Sequence, residues 1–164
     1  MVILETALDI ERLSIAFYRQ LETQVDMKSV RAAARMLAGE KVAHAAMIRH
    51  LIEDSEETGY IEGDPGTTDM LAGVVEEFEK ELRAVGSLNG SLVILFARGM
   101  ELELKTIELY EMIREAIPEH QETLDRLLEE EGRHRELLDA FLDLARKAEE
   151  WVEDPEFSHI GEEY

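Results

Sequence analysis

The sequence predicts an all-α protein, a bundle of four helices in which a long crossover joins two antiparallel hairpins. Apolar residues recur at helical spacing along most of the 164 residues, and three prolines leave little room for extended linkers. A second observation is an internal repeat, because residues 3–57 and 91–150 share apolar positions and several polar ones. We therefore expect a bundle over residues 1–150 whose crossover spans 58–90, followed by a tail over 151–164.

The first hairpin consists of two predicted helices, from about Ile3 to Gln24 and from about Lys28 to Glu57, with a break near Asp26. Each helix carries one stripe that the helical period places on a single face. The stripe of the first helix is Leu4, Leu8, Glu11, Ile15 and Tyr18. The stripe of the second helix is Val30, Leu37, His44 and Leu51. Titratable residues therefore lie within stripes that are otherwise apolar.

The crossover begins at the strongest group of helix breakers in the chain, residues 59–68, which contain three glycines and one proline. Residues 69–85 are weakly amphipathic and predict a helical segment, and residues 86–90 end it. The connection is therefore long enough to carry the chain from the end of one hairpin to the start of the next.

The second hairpin repeats the first. Its first helix is predicted from about Ser91 to Ile117, with one stripe of residues spaced seven apart: Phe96, Glu103, Tyr110 and Ile117. Pro118 suits the first turn of the next helix, which continues to about Glu150. The stripe of that helix is Leu127, His134, Phe141 and Ala148.

Composition excludes several classes of function. A net charge of −21 argues against a nucleic-acid partner, because phosphate binding needs clustered lysine and arginine. The absence of cysteine excludes disulfides, thiolate-ligated zinc and iron–sulfur sites. No basic segment followed by an apolar run opens the chain, and the longest uncharged stretch, residues 84–97, is too short to span a bilayer. We expect a cytoplasmic protein with no membrane partner.

Two glutamates occupy equivalent positions in the repeat. Glu11 and Glu103 each stand seven residues, or two helical turns, before a tyrosine, so each shares a buried stripe with Tyr18 or Tyr110. A carboxylate in a core is costly unless it is paired or bound to metal. We expect the two tyrosines to be core aromatics whose hydroxyls can bond these carboxylates.

Two histidines also occupy equivalent positions. His44 and His134 each follow a Leu-x-x-Glu sequence, which ends at Glu40 in the first repeat and at Glu130 in the second. Glu131 stands three residues before His134, a spacing that puts a carboxylate and an imidazole on one helix face. Duplicated glutamates facing duplicated histidines predict a buried metal site.

These motifs resemble the rubrerythrin-like branch of the ferritin-like di-iron carboxylate superfamily. The resemblance rests on Glu-x6-Tyr in the first and third helices and on Leu-x-x-Glu-Glu-x-x-His in the fourth. It implies a ferritin-like bundle with a carboxylate-bridged non-haem di-iron site, which reduces hydrogen peroxide or oxidises ferrous iron with oxygen. It also implies a homodimer. The metal ligands that it implies are Glu11, His44, Glu103, Glu131 and His134.

The sixth ligand of that family, a glutamate on the second helix, falls on Lys41 here. Full rubrerythrins also carry a rubredoxin-like domain that holds iron with four cysteine thiolates. This sequence has no cysteine, so we expect its electrons to come from a separate donor.

Lys41 leaves four arrangements open. Glu40, about 100° around the helix from Lys41, completes a site for two irons as the sixth ligand. Alternatively, one divalent metal and a protonated Lys41 balance three carboxylates. A third arrangement is a metal-free bundle with a Lys41–carboxylate ion pair, and a fourth turns Lys41 outward. Periodicity does not decide, because Met47 and Ile48, seven residues on from the two candidates, are both apolar.

The sequence thus predicts a non-haem metal-binding protein, with iron as the expected metal and manganese or zinc as alternatives. The expected chemistry is that of an oxidase or peroxidase acting on oxygen or hydrogen peroxide, which would make the protein a ferroxidase or a peroxidase. The competing prediction is a ferritin-like scaffold or interaction protein with a single-metal or metal-free site. Iron storage is a third alternative, on which one bundle gives no information.

Overall fold

The described residues of the chain, 2–58 and 91–153 of a computed structural model, form four α-helices and one 3-10 turn. The helices are α1 (Val2–Gln24), α2 (Lys28–Thr58), α3 (Leu92–Ala116) and α4 (Gln121–Glu153). In the packed bundle α1 lies along α2, α3 lies along α4, and α1 contacts α3 across the two hairpins. The all-α four-helix prediction is confirmed. Residues 59–90 of the predicted crossover and 154–164 of the predicted tail lie outside the described residues.

The boundaries of the fourth helix differ from the prediction. Pro118 does not occupy its first turn; it opens a separate 3-10 turn, Pro118–His120, and α4 begins at Gln121. The backbone of Ile117, at φ −131° and ψ 70°, lies outside the helical region, because a proline ring disfavours that region for the residue before it. At its other end α4 runs to Glu153 rather than to Glu150.

The core consists of two apolar clusters at opposite ends of the bundle. One contains Leu8, Ile48, Ile113 and Leu124 among others. The other contains Phe17, Leu37, Phe96 and Leu138 among others. Between the clusters every helix contributes buried polar or charged side chains from its middle turns, chiefly Glu11, Lys41, His44, Glu103, Glu131 and His134. The polar layer is therefore shielded from water by apolar packing above and below it.

Within the described residues, no helix combines the length and the apolar character that crossing a bilayer requires. Among the side chains that the structure describes, most of the aspartates and glutamates lie on exposed faces of the helices.

Gly132 offers a test of the helix packing near the polar layer. It lies inside α4, and a Cβ added there would meet nothing within 4 Å. Because glycine in a helix interior costs roughly 0.5–1 kcal/mol relative to alanine, we expect Gly132→Ala to raise the free energy of unfolding by about that amount, measured by urea denaturation. Gly99→Ala is the control, because its Cβ would lie 3.2 Å from a Leu138 methyl group and should gain less. A Gly132→Ala protein less stable than wild type would contradict the packing described here.

Candidate metal centre

The sequence-predicted residues converge in the polar layer, with one exception. Glu11, His44, Glu103 and Glu131 are 0% exposed, and His134 is 3% exposed. Each comes from the middle of its helix. Four of them lie on the predicted stripes, and Glu131 was predicted from its position three residues before His134. Glu40 is the exception, because its side chain is 48% exposed.

Two groups of three side chains have the geometry of metal ligands. The His44 group is Glu11, His44 and Glu131, and the His134 group is Glu103, Glu131 and His134. Within each group the potential ligand atoms lie within 4.8 Å of one another. Glu131 belongs to both groups and lies between them.

Both histidines direct Nδ1 towards the shared carboxylate. His44 Nδ1 lies 2.7 Å from Glu131 Oε1 and 3.8 Å from Glu11 Oε1. His134 Nδ1 lies 3.4 Å from Glu131 Oε2 and 3.6 Å from Glu103 Oε2. The two imidazole rings stack, with centroids 5.5 Å apart and planes 18° from parallel. The Nδ1 atoms of the two histidines therefore lie side by side, each facing one of the two carboxylate oxygens of Glu131.

Lys41 lies inside the centre and is 0% exposed. Its Nζ is 2.5 Å from Glu131 Oε2, 2.7 Å from Glu103 Oε2 and 3.9 Å from Glu11 Oε1. The interpretation that Lys41 turns outward is therefore wrong. The reason lies in the register of α2: Ile48, seven residues on from Lys41, is also 0% exposed, so both point into the bundle.

Glu40 contacts the far edge of a histidine ring rather than the centre. Its Oε2 lies 2.5 Å from His134 Nε2, on the opposite edge of the ring from Nδ1, and Glu40 belongs to neither ligand group. The position predicted for a sixth metal ligand is thus occupied by Lys41, and Glu40 lies one residue around the helix. Of the four arrangements left open, the one in which Glu40 turns inward is not the one that this structure shows. The assignment of Glu40 as a metal ligand stays a prediction.

Glu130, which the sequence analysis did not select, makes the reciprocal contact. Its Oε2 lies 2.8 Å from His44 Nε2, so a glutamate of α2 holds the histidine of α4 and a glutamate of α4 holds the histidine of α2. Arg126 Nε lies 3.1 Å from the other oxygen of Glu130. Carboxylates on Nε2 fix the ring orientation and leave Nδ1 for the centre. Glu40 and Glu130 occupy equivalent positions in the repeat, and this equivalence could have predicted that Glu130 contacts a histidine as Glu40 does.

The two tyrosines bond the glutamates across the bundle, as expected for their hydroxyls. Tyr18 on α1 donates a hydrogen bond to Glu103 on α3, and Tyr110 on α3 donates one to Glu11 on α1. Burial and the adjacent carboxylates raise the pKa of both tyrosines well above the usual value. Each tyrosine therefore remains a hydroxyl donor that fixes one carboxylate.

Burial and ion pairing have opposite effects on the pKa values of the basic side chains in the centre. Burial lowers the pKa of Lys41, but Glu103, Glu11 and Glu131 outweigh it and raise that pKa above its usual value. Burial likewise opposes a charge on the histidines, yet the adjacent inner carboxylates raise the pKa of His44 to about 10 and that of His134 to about 9. Without a metal, the side chains of Lys41, His44 and His134 therefore favour their protonated forms.

The inner carboxylates differ from each other. Burial raises the pKa of Glu103, and Lys41 counteracts it only in part. Burial would raise the pKa of Glu131 as well, but the Lys41 charge, together with the adjacent Glu103 and both histidines, holds that pKa well below its usual range. Glu131 is thus the firmly ionised carboxylate on which the cations of the centre converge.

Two buried hydroxyls beside the centre were missed from the sequence. Ser14 and Thr106 stand three residues after Glu11 and Glu103, at equivalent places in the repeat, and are 0% and 1% exposed. The hydroxyl of Thr106 donates to the backbone carbonyl of Leu102 at 2.9 Å. The predicted stripe of α1 contains Ile15 rather than Ser14, but Ile15 is only partly buried. The matching Glu-x-x-Ser and Glu-x-x-Thr spacings could have revealed the pair.

A surface pocket of about 440 Å³ opens between α2 and α4 beside the centre. Its lining includes Glu40, Glu130 and His134, together with apolar Met36 and Leu137. The pocket therefore borders the outer carboxylates and the ring of His134.

Donor types and unpaired atoms in the centre fit a transition metal. Imidazole and carboxylate together suit iron, manganese and zinc. Buried polar atoms are normally hydrogen-bonded, yet Glu11 Oε2 and His134 Nδ1 have no hydrogen-bond partner. Glu11 Oε2 can accept a metal without the loss of a hydrogen bond, and His134 Nδ1 can do so once its ring has released a proton.

A family model described as Rubrerythrin matches residues 3–142 of the chain. The match covers both hairpins and the whole candidate centre. Neither a curated protein nor a solved structure matches the chain.

Proposed function

The chain belongs to the rubrerythrin family, and on that premise we propose that it binds non-haem iron in the buried centre and performs redox chemistry with oxygen or hydrogen peroxide. One observation carries the proposal: two groups of glutamate and histidine ligand atoms, each within 4.8 Å, converge in a layer closed to water. A purely structural core would gain more from apolar side chains at these positions.

The surrounding residues support redox use of the centre. Tyr18 and Tyr110 hold the carboxylates of Glu103 and Glu11, and apolar clusters on both sides limit water. The pocket between α2 and α4, about 440 Å³ in volume, has room for oxygen or peroxide beside the ring of His134. Bound iron would supply or accept electrons there, a role that the glutamate and histidine side chains do not perform themselves.

The electrons must be replaced after each turnover. Reduction of one hydrogen peroxide to two waters consumes two electrons and two protons. Since the sequence contains no cysteine for a thiolate-bound iron relay, we propose that a separate protein delivers the electrons. Manganese or zinc can occupy the same donor set, but zinc would support no redox cycle.

Metal analysis tests the proposal directly. Protein produced in iron-supplemented medium should retain iron after desalting, measured by mass spectrometry, and anaerobically loaded protein should consume added peroxide. A variant with both His44→Gln and His134→Gln should lose the iron and the peroxide consumption, while its helical circular dichroism remains. Wild-type protein that takes up no transition metal would contradict the proposal.

A metal-free scaffold is the second candidate, and Lys41 is the observation that favours it. Its ammonium group contacts two of the three inner carboxylates within 2.7 Å, which compensates buried charge without a metal. The same metal analysis separates the candidates, because a scaffold would remain folded and metal-free in every preparation.

A further inference from the structure

The His44 and His134 groups are related by the internal repeat, but Lys41 makes them unequal. The ammonium group lies 2.5 Å from Glu131 Oε2 and 2.7 Å from Glu103 Oε2. These are the carboxylate oxygens closest to His134 Nδ1. A metal in the His134 group would therefore have to share both of its carboxylate oxygens with a fixed cation.

The His44 group is free of that competition. Lys41 Nζ comes no closer than 3.9 Å to Glu11, and its contact with Glu131 is to Oε2 rather than to Oε1, which faces His44. Glu11 Oε2 has no hydrogen-bond partner. The 2.7 Å contact between His44 and Glu131 joins two members of the group itself, so metal binding replaces it without displacing a third residue.

His134 Nδ1 also has no hydrogen-bond partner, which by itself would favour a metal there. However, such a metal would also need the Oε2 atoms of Glu103 and Glu131, and Lys41 contacts both of them. This competition outweighs the advantage of the free nitrogen, because Lys41 cannot easily move away. Its side chain is 0% exposed, and moving the ammonium group would leave a buried charge without its partners, at high cost.

Charge balance also favours a single metal in the centre. The inner carboxylates Glu11, Glu103 and Glu131 carry three negative charges, which one divalent metal and one ammonium group neutralise. A second divalent metal would leave excess positive charge in a buried place, where unpaired charge is strongly unfavourable.

We propose that the centre holds one divalent metal, bound by Glu11, His44 and Glu131, and that the Lys41 ammonium group takes the place of a second metal beside Glu103 and His134. This inference rests on the proposed metal-binding function and specifies its number and position. It makes the two histidines, which the sequence repeat treats alike, different in role: His44 is a ligand, and His134 is not.

The test compares the two histidines by metal affinity rather than by activity. Full-length protein stripped with a chelator is titrated with Co²⁺, whose visible absorption reports imidazole and carboxylate ligands, and the bound metal is counted after equilibrium dialysis. We expect close to one Co²⁺ per wild-type chain. His44→Gln should weaken binding by more than about 100-fold and change the spectrum, whereas His134→Gln should weaken it by less than about tenfold. His50→Gln, on the exposed face of α2, is the matched control.

Every result bears on the placement. Loss of binding in His134→Gln with retention in His44→Gln would overturn it, as would equal losses in both or two Co²⁺ in the wild type, while leaving the metal-binding function intact. No binding in the wild type would contradict the function as well. If either variant melts far below wild type, His44→Asn and His134→Asn provide the same comparison with a different side-chain length.

Discussion

Lys41→Glu is expected to raise the metal capacity of the chain from about one to about two divalent ions. The substitution places a carboxylate at the position equivalent to Glu131 in the other repeat, and four inner carboxylates neutralise two divalent metals. It also frees Oε2 of Glu103 and Glu131 from the ammonium group. Equilibrium dialysis followed by metal analysis measures the capacity, and stopped-flow oxidation of Fe²⁺ should become faster.

The same substitution should make the fold depend on metal. Without the Lys41 cation the buried carboxylates repel one another, and we expect the metal-free variant to lose on the order of 3–5 kcal/mol of unfolding free energy. Saturating Co²⁺ should restore much of that loss, since a ligand bound only by the folded state stabilises it.

Two further variants serve as controls for Lys41. Lys41→Met removes the cation without adding a ligand, so it should destabilise the metal-free protein and yet bind about one metal. Glu40→Ala should leave the capacity unchanged, because Glu40 contacts His134 Nε2 and not the inner oxygens. Loss of one of two metals in Glu40→Ala would show that Glu40 is the sixth ligand after all, and a Lys41→Glu protein with unchanged capacity would contradict the charge argument.

Glu131→Gln is expected to weaken metal binding by at least about 100-fold, whichever group the metal occupies. Glu131 is common to both groups, and its pKa, held well below the usual range, keeps it ionised as a ligand. An amide of the same size preserves the packing but removes the charge. Isothermal titration with Co²⁺ measures the change, with Glu129→Gln, an exposed neighbour, as the control.

Metal-free Glu131→Gln should also lose stability, by roughly 3 kcal/mol, because Lys41 and His44 both lose a charged partner in a buried place. Urea denaturation in the presence of a chelator measures this. If Glu131→Gln binds Co²⁺ as tightly as wild type, the metal lies outside both groups and the assignment of the centre is wrong.

The helical period and the internal repeat alone determined the fold class and most of the buried polar layer. A period of seven in a helix keeps residues on one face, so the stripes located Glu11, His44, Glu103 and His134 in the interior without any knowledge of the partner helices. The repeat then indicated that these side chains act together. Both signals are local properties of the chain, and the structure places all four residues 3% exposed or less.

Tertiary packing alone decided which residue of α2 enters the centre. Glu40 and Lys41 are each followed, seven residues on, by an apolar side chain, and only the rotation of α2 against the other helices buries Lys41 and leaves Glu40 at the pocket. The Glu40–His134 and Glu130–His44 contacts likewise join α2 to α4, whose relative position no local pattern contains. A single residue of rotation, about 100° around the axis, separates a site for two metals from the one-metal centre that we propose.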